Sequence, residues 1–358
     1  MKPMNKVKQF LSDHNYEGIL LRQKNNFSWL TEGKRNHIVL QTSLGVADLL
    51  VLRDKVVVFT ANMEKDRIVD EELSDFPAEV VSVNWYDDLD QVIGNYTKGM
   101  SVAADTPFLN FEVVDHKLAL IRSVLSESEL SRYRTLCFEA AQALESTAME
   151  VQPGQTEYEI AAQLMKKSVS KGMNIDVALV ATDERIYKYR HPIATGKKLE
   201  KHALLVLCAE RGGLVANVTR VVHFGEMDRD LKERAEKVAY IDAVYNQSTK
   251  PGVTIGSIVS KGIEAYKETG YPEDWKKLHQ GGLTGYSSRE FLATPTSTEN
   301  VQVNQTFTWN PALPGVKSED TIAVTENGTE FLTYTGDWVY KDIEINGQVF
   351  KRPDILIR

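Results

Sequence analysis

An α/β (α+β) protein of two domains is predicted by three observations. The 358 residues exceed what one hydrophobic core usually supports. Short apolar runs alternate with helical patterns as far as about residue 120, and from residue 126 the text changes to long helices followed by a strand-rich end with Gly turns. The expected units are therefore 1–125, a small α/β domain, and 126–358. In the first, strands are expected over 18–21, 38–40, 47–52, 55–60, 80–83 and 100–104. In the second, apolar residues at three- and four-residue spacing predict a helix over 127–147, closed by the Pro153-Gly154 turn, and a further helix over 157–171. Strand-like runs at 176–180, 203–207 and 214–224 come next. Helices over 229–248 and 255–268 follow, separated by Pro251-Gly252, and from Thr306 onward the chain reads as strands. There is no internal repeat and no low-complexity tract.

A formal net charge of -8 argues against a nucleic-acid or anionic-membrane partner, since either would need a basic stripe and the sequence has none, and 42% hydrophobic with 26% charged residues fits a globular protein. Small molecules or short peptides are the expected ligands. The first ten residues carry lysines but no apolar run of signal-peptide length, and no segment reaches the length of a membrane span, so a cytoplasmic protein is expected. Cys137 and Cys208 fall in apolar surroundings, as reduced thiols would, and two cysteines give no structural-zinc spacing.

Three stretches carry potential chemistry. Arg190-His191-Pro192 follows Tyr187-Lys188-Tyr189 and precedes Thr195-Gly196, which puts an imidazole in a polar loop where it can act as base and acid near neutral pH, or can simply be solvated. His279 opens Gln280-Gly281-Gly282, a Gly-dense turn that lets backbone approach a ligand, or that serves a tight turn alone. Trp309-Asn310-Pro311, followed by Gly315 and Glu319, places an amide and a carboxylate on either side of a short Pro/Gly loop.

The order of these stretches resembles the pita-bread peptidase family of creatinase, aminopeptidase P, prolidase and methionine aminopeptidase. In that family an Asp ends a strand, a second Asp precedes Thr-Arg, a His sits in a Gly-rich turn, a Glu precedes Pro-Gly, and a last Glu precedes Asp-Thr. Here the corresponding tracts are Asn217-Val218-Thr219-Arg220, His279-Gln280-Gly281-Gly282 and Glu319-Asp320-Thr321, closed by Val324-Thr325-Glu326-Asn327-Gly328. Upstream, Asn26-Phe27-Ser28-Trp29-Leu30-Thr31 is similar to a tract of the family's N-terminal domain. The resemblance implies a creatinase-like α/β domain followed by a pita-bread domain, and a homodimer.

The departures bear on mechanism. Of five metal-ligand positions only His279 and Glu319 keep a good ligand type. Cys208 falls near the first Asp position across a shortened hairpin, Asn217 replaces the second Asp and Asn310 the first Glu. Neutral amides hold hard divalent ions weakly, so no metal cofactor is expected. A single Mn or Zn would have to rely on Cys208, His279 and Glu319. By resemblance to creatinase, which lacks the metal, His191 is the expected acid/base. His279 would then polarise the substrate oxygen and Glu319 would orient a substrate N–H. Asn217, Asn310 and Cys208 would contact substrate, with Arg220, Tyr286 and Arg190 at the edge of the site or, for Arg220, bracing Glu319 structurally. The leading expectation is metal-independent hydrolysis of an amide, amidine or ureido C–N bond. A metal-dependent Xaa-Pro peptidase and a non-catalytic binding protein on the same scaffold are the alternatives.

Overall fold

The computed structural model describes residues 1–358 and divides into two compact units, 1–126 with 212–214, and the remainder. In the first, six strands form one sheet: β1 (Gly18–Gln23), β2 (Leu44–Leu52), β3 (Val56–Ala61), β4 (Glu79–Val83), β5 (Val102–Ala104) and β6 (Glu112–Val113), in the order β4-β3-β2-β1-β5-β6. Its helices are α1 (Pro3–Asp13), α2 (Lys24–Leu30), α3 (Asn62–Arg67), α4 (Leu89–Tyr96) and α5 (Asp115–Arg122). Leu20, Leu50, Val57, Phe59 and Ile93 build the core. The strand expected over 38–40 is absent: Ile38, Val39 and Leu40 are exposed in a turn, since three apolar residues without a pairing partner cannot satisfy their backbone groups as a strand. The Asn26–Thr31 tract forms most of α2 and its C-cap.

The second unit opens with α6 (Glu127–Glu150) and α7 (Glu157–Val169), the latter started by a capping box in which Thr156 and Glu159 satisfy each other's end groups. Next come β7 (Asn174–Thr182), α8 (Glu184–Lys188), β8 (His202–Arg211) and β9 (Leu214–His223). Helices α9 (Arg229–Ser248) and α10 (Ile255–Glu268) lie at the ranges the apolar spacing predicts. The strands that follow are β10 (Gly281–Thr284), β11 (Phe291–Leu292), β12 (Thr306–Trp309), β13 (Ala312–Leu313), β14 (Val316–Lys317), β15 (Asp320–Thr325) and β16 (Gly328–Phe331). The chain ends in β17 (Tyr340–Ile345), β18 (Gln348–Pro353) and β19 (Leu356–Ile357). The two larger sheets are β19-β9-β8-β7 and β11-β10-β12-β15-β16, beside the two-stranded pairs β13-β14 and β17-β18, and Thr219 of β9 bridges to Glu319 just before β15. Ile241, Tyr245, Ile258, Phe307 and Ile322 are among the residues of the core that the sheets share with α9 and α10.

All ten positions of β9 are buried, so its polar residues must find partners inside. Arg220 donates to Glu145 at 2.9 Å, to Asp320 at 3.0 Å and to the Thr333 carbonyl at 3.2 Å. Arg352 of β18 continues this network, donating to the other oxygen of Asp320 at 2.7 Å and to Asp242 of α9 at 2.9 Å. The residue adjoining Glu319 is thereby held from two sides.

The Gly-dense turn serves the chain's own packing. Gly281 has φ +107° and pairs with Trp309, and a Cβ there would lie 2.0 Å from the Thr308 carbonyl oxygen. Its close approach is to β12 and to the Asn310 side chain. Gly281→Ala is therefore expected to cost about 1–3 kcal/mol or to prevent folding, read as a lowered denaturation midpoint; an unchanged midpoint would show that β12 yields.

Candidate active site

His191 lies on the loop between α8 and β8, and one buried carboxylate pins that loop. Glu157, at the start of α7, accepts hydrogen bonds from the Thr182 amide (2.9 Å), Arg185 Nε (3.0 Å), the Thr195 amide (2.8 Å) and Thr195 Oγ1 (2.7 Å). The loop is held on both sides while His191 itself stays exposed. Its ring centroid is 5.8 Å from that of His279, which precedes β10. Partial desolvation and then the Lys317 charge lower the pKa of His191, against the pull of Glu319. Burial, followed by Arg289 and Lys317, holds His279 at about 4. Both imidazoles are neutral near pH 7.

Glu319 is buried and both its oxygens are engaged. Arg289 Nη2 donates to Oε1 at 3.0 Å, while Lys317 Nζ and Thr219 Oγ1 donate to Oε2, each at 2.6 Å. Burial alone would raise this carboxyl; Lys317 and Arg289 overcome it and bring the pKa down to about 2. The same Arg289 nitrogen reaches Asn310 Oδ1 at 3.3 Å. Asn217 donates to the Val215 carbonyl and to Thr284 Oγ1, leaving its buried Oδ1 without a partner. The turn after β8 is Gly212-Gly213, both at positive φ as a two-residue hairpin loop requires, and counting back from it sets Cys208 across from Asn217. Burial pushes the Cys208 thiol up to about 12, with the Glu319 charge adding to the rise and Arg289 and Lys317 opposing it.

The structure thus gathers His191, His279, Asn310, Glu319 and Cys208 around Arg289 and Lys317. Two of the expected edge residues turn elsewhere. Arg220 is committed to Glu145 and Asp320, because a fully buried guanidinium needs acids on both sides. The Tyr286 hydroxyl donates to Glu129 and accepts from Arg132, both on α6. Glu319 is also placed differently from its expected role, since its charge meets two protein cations before any substrate N–H. Sequence reasoning assigned no part to Arg289, Lys317 or Glu157. Lys317 was legible in principle, because residues two apart in an extended segment share a face and Lys317 and Glu319 stand in that relation. Nothing local marks Arg289, which arrives from 30 residues away.

Residues 131–326 match the profile of metallopeptidase family M24. The chain belongs to metallopeptidase family M24. A curated Xaa-Pro dipeptidase from Pyrococcus horikoshii is 28% identical to this M24 chain over 238 residues, 63% of this chain and 66% of that protein. The X-Pro aminopeptidase from Thermotoga maritima MSB8 shares the fold with a TM-score of 0.78 at 21% identity, covering 100% of both chains. So does the N-terminal domain of FACT complex subunit SPT16 from Cicer arietinum, at a TM-score of 0.69 and 11% identity over 94% of this chain and 97% of that one. The pita-bread architecture is therefore that of this M24 chain, and these structural likenesses show fold alone.

Members of an M24 metallopeptidase family are expected to hold divalent ions, and the donor set here does not fit them. Both oxygens of Glu319 are occupied by Arg289 and Lys317, and Asn310 Oδ1 already accepts from Arg289. Cys208 is a protonated thiol near neutral pH, and no three His, Cys, Asp or Glu side chains converge as a ligand set. Two cations packed against the remaining acid would repel an incoming ion at close range.

Proposed function

We propose that this chain hydrolyses an amide-type C–N bond, in a short peptide or a small amide or ureido compound, with His191 as the base and no metal in the step. The observation that carries this reading is the pair of neutral imidazoles, His191 and His279, set beside a Glu319 whose charge is met by Arg289 and Lys317. His191 takes a proton from water as the water oxygen bonds to the acyl carbon, and returns it to the departing nitrogen when the C–N bond breaks. His279, neutral and with Nδ1 unpartnered, is available to orient the substrate. Membership of a peptidase family places hydrolysis first among reaction types.

The name of the Pyrococcus horikoshii relative favours a second reading, cleavage beside proline with a metal. The two readings separate in one experiment on protein purified without a His tag or added metal. Metal content is measured, and turnover is followed with and without a chelator on Xaa-Pro dipeptides and on ureido and amide compounds. A metal-to-chain ratio near zero with chelator-resistant turnover is expected. A ratio near one or two, with chelator-sensitive cleavage of Xaa-Pro dipeptides, would establish the second reading instead.

The pH profile follows from the direction of the His191 shift. A base whose pKa lies below its ordinary value of 6.5 is active once deprotonated, so kcat/KM rises on an acid limb centred below pH 6.5 and is flat from about pH 7 upward. An acid limb centred above pH 6.5 would assign the base to another group.

A further inference from the structure

We propose that Arg289 and Lys317 are the electrophilic centre of this site, two protein cations that take over the charge of the family's metal ions and receive the oxyanion that develops on the substrate's acyl oxygen. The proposal rests on the reading of the cleft as a C–N hydrolase site.

Position is the first argument. A single nitrogen of Arg289 hydrogen-bonds both Asn310 and Glu319, the residues at the two positions where the family pattern carries ligand glutamates. A cation shared between those positions is thus already present, as a guanidinium. Lys317 Nζ lies on the opposite oxygen of Glu319, so the carboxylate is bracketed by two protein cations.

Charge is the second argument. Two cations face one carboxylate, each within 3.0 Å of it. Asn217 and Asn310, where acids would stand, add no negative charge. Within these ion pairs the cations outnumber the carboxylate by one, which favours the approach of an anionic group.

Unpartnered polar atoms are the third. Arg289 Nε and His279 Nδ1 are buried without a hydrogen-bond partner, although buried polar groups are paired as a rule. A guanidinium N–H with no acceptor in such a cluster is a donor aimed at something the chain itself does not supply.

In the reaction, the water oxygen bonds to the acyl carbon while His191 takes the water proton. The carbonyl π pair moves onto the acyl oxygen, where Arg289 and Lys317 stabilise the negative charge. The pair then returns to re-form the carbonyl, the C–N bond breaks, and the nitrogen leaves with the proton held by His191. Atoms and electrons balance without an oxidant, a reductant or a metal.

The test uses the full chain in two arms. In the first, inorganic phosphate and Co²⁺ are titrated separately by calorimetry into wild type and His191→Ala, whose cation centre is intact. Phosphate is expected to bind at one per chain to both and Co²⁺ to neither, and Lys317→Met is expected to weaken phosphate at least tenfold. Stoichiometric Co²⁺ binding, or no phosphate binding by wild type, overturns the proposal whether or not any substrate has been found. In the second arm, on a compound that wild type hydrolyses, Lys317→Met and Arg289→Lys are expected to lower kcat by about 10²–10³ with KM little changed. Loss confined to KM would make the two cations ground-state binders and sink the electrophilic role. If the variants fail to fold, the wild-type titrations decide alone. Absence of turnover on every compound, with phosphate bound as expected, would remove the hydrolase reading and leave an anion-binding centre.

Discussion

Turnover is expected to fall by about 10²–10⁴-fold in His191→Ala, the usual contribution of a positioned general base, with the unfolding midpoint unchanged. The second half of that expectation follows from placement. His191 is exposed, and the loop carrying it is held by Glu157 through Thr182, Arg185 and Thr195 rather than by the imidazole. Removing the ring takes away the base without disturbing its support. Exogenous imidazole should restore part of the rate, because the opened position is reachable from solvent. Retained turnover in the alanine variant would transfer the role of base to another group. A parallel loss of stability would show that the ring braces the loop.

The largest stability effect is expected from Glu319→Ala. Lys317 and Arg289 are paired to opposite oxygens of this carboxylate, and without it a buried and a partly buried cation face each other. Breaking a buried pair by removing one partner costs about 3–5 kcal/mol, so the variant should lose a large part of its resistance to urea. Lys317→Met in the same chain should recover part of the loss, since one of the uncompensated charges is then gone. A loss under about 1 kcal/mol would mean that water reaches the pair and screens it. The pH dependence supplies a second check. The Glu319 carboxyl lies at about 2 in the folded chain against an ordinary 4.5. Its contribution is therefore complete above pH 4.5 and disappears as the pH falls toward 2. The difference between wild type and Glu319→Ala should shrink across that window and be constant above it.

The helices were legible because periodicity and end signals coincide in them: α9 and α10 occupy the ranges that the apolar spacing and the Pro251-Gly252 turn mark out. The apolar run at 38–40 carried no such second signal, and its residues lie exposed in a turn. Strand β9 was legible as a strand, but not as one buried at every position, because full burial depends on what packs over each face. That burial decided between the two readings of Arg220, edge of the site or structural brace, by committing it to the Glu145–Asp320 network beside Glu319. Tyr286 was misplaced for a similar reason, its hydroxyl partners lying on α6, more than a hundred residues earlier.

By itself the sequence determined the family, since the order of short motifs and the residue types within them are linear facts. It marked His191, His279 and Glu319 as the groups that keep chemistry while the acids around them are lost. Only the tertiary structure decided what meets the charge of Glu319. The pairing of β10, β12 and β15 carries Arg289 across 30 residues onto the carboxylate and brings the same nitrogen within reach of Asn310. Strand register is a property of the assembled sheet, fixed by which faces are buried together. Coulomb interactions depend on distance in space and not on separation along the chain.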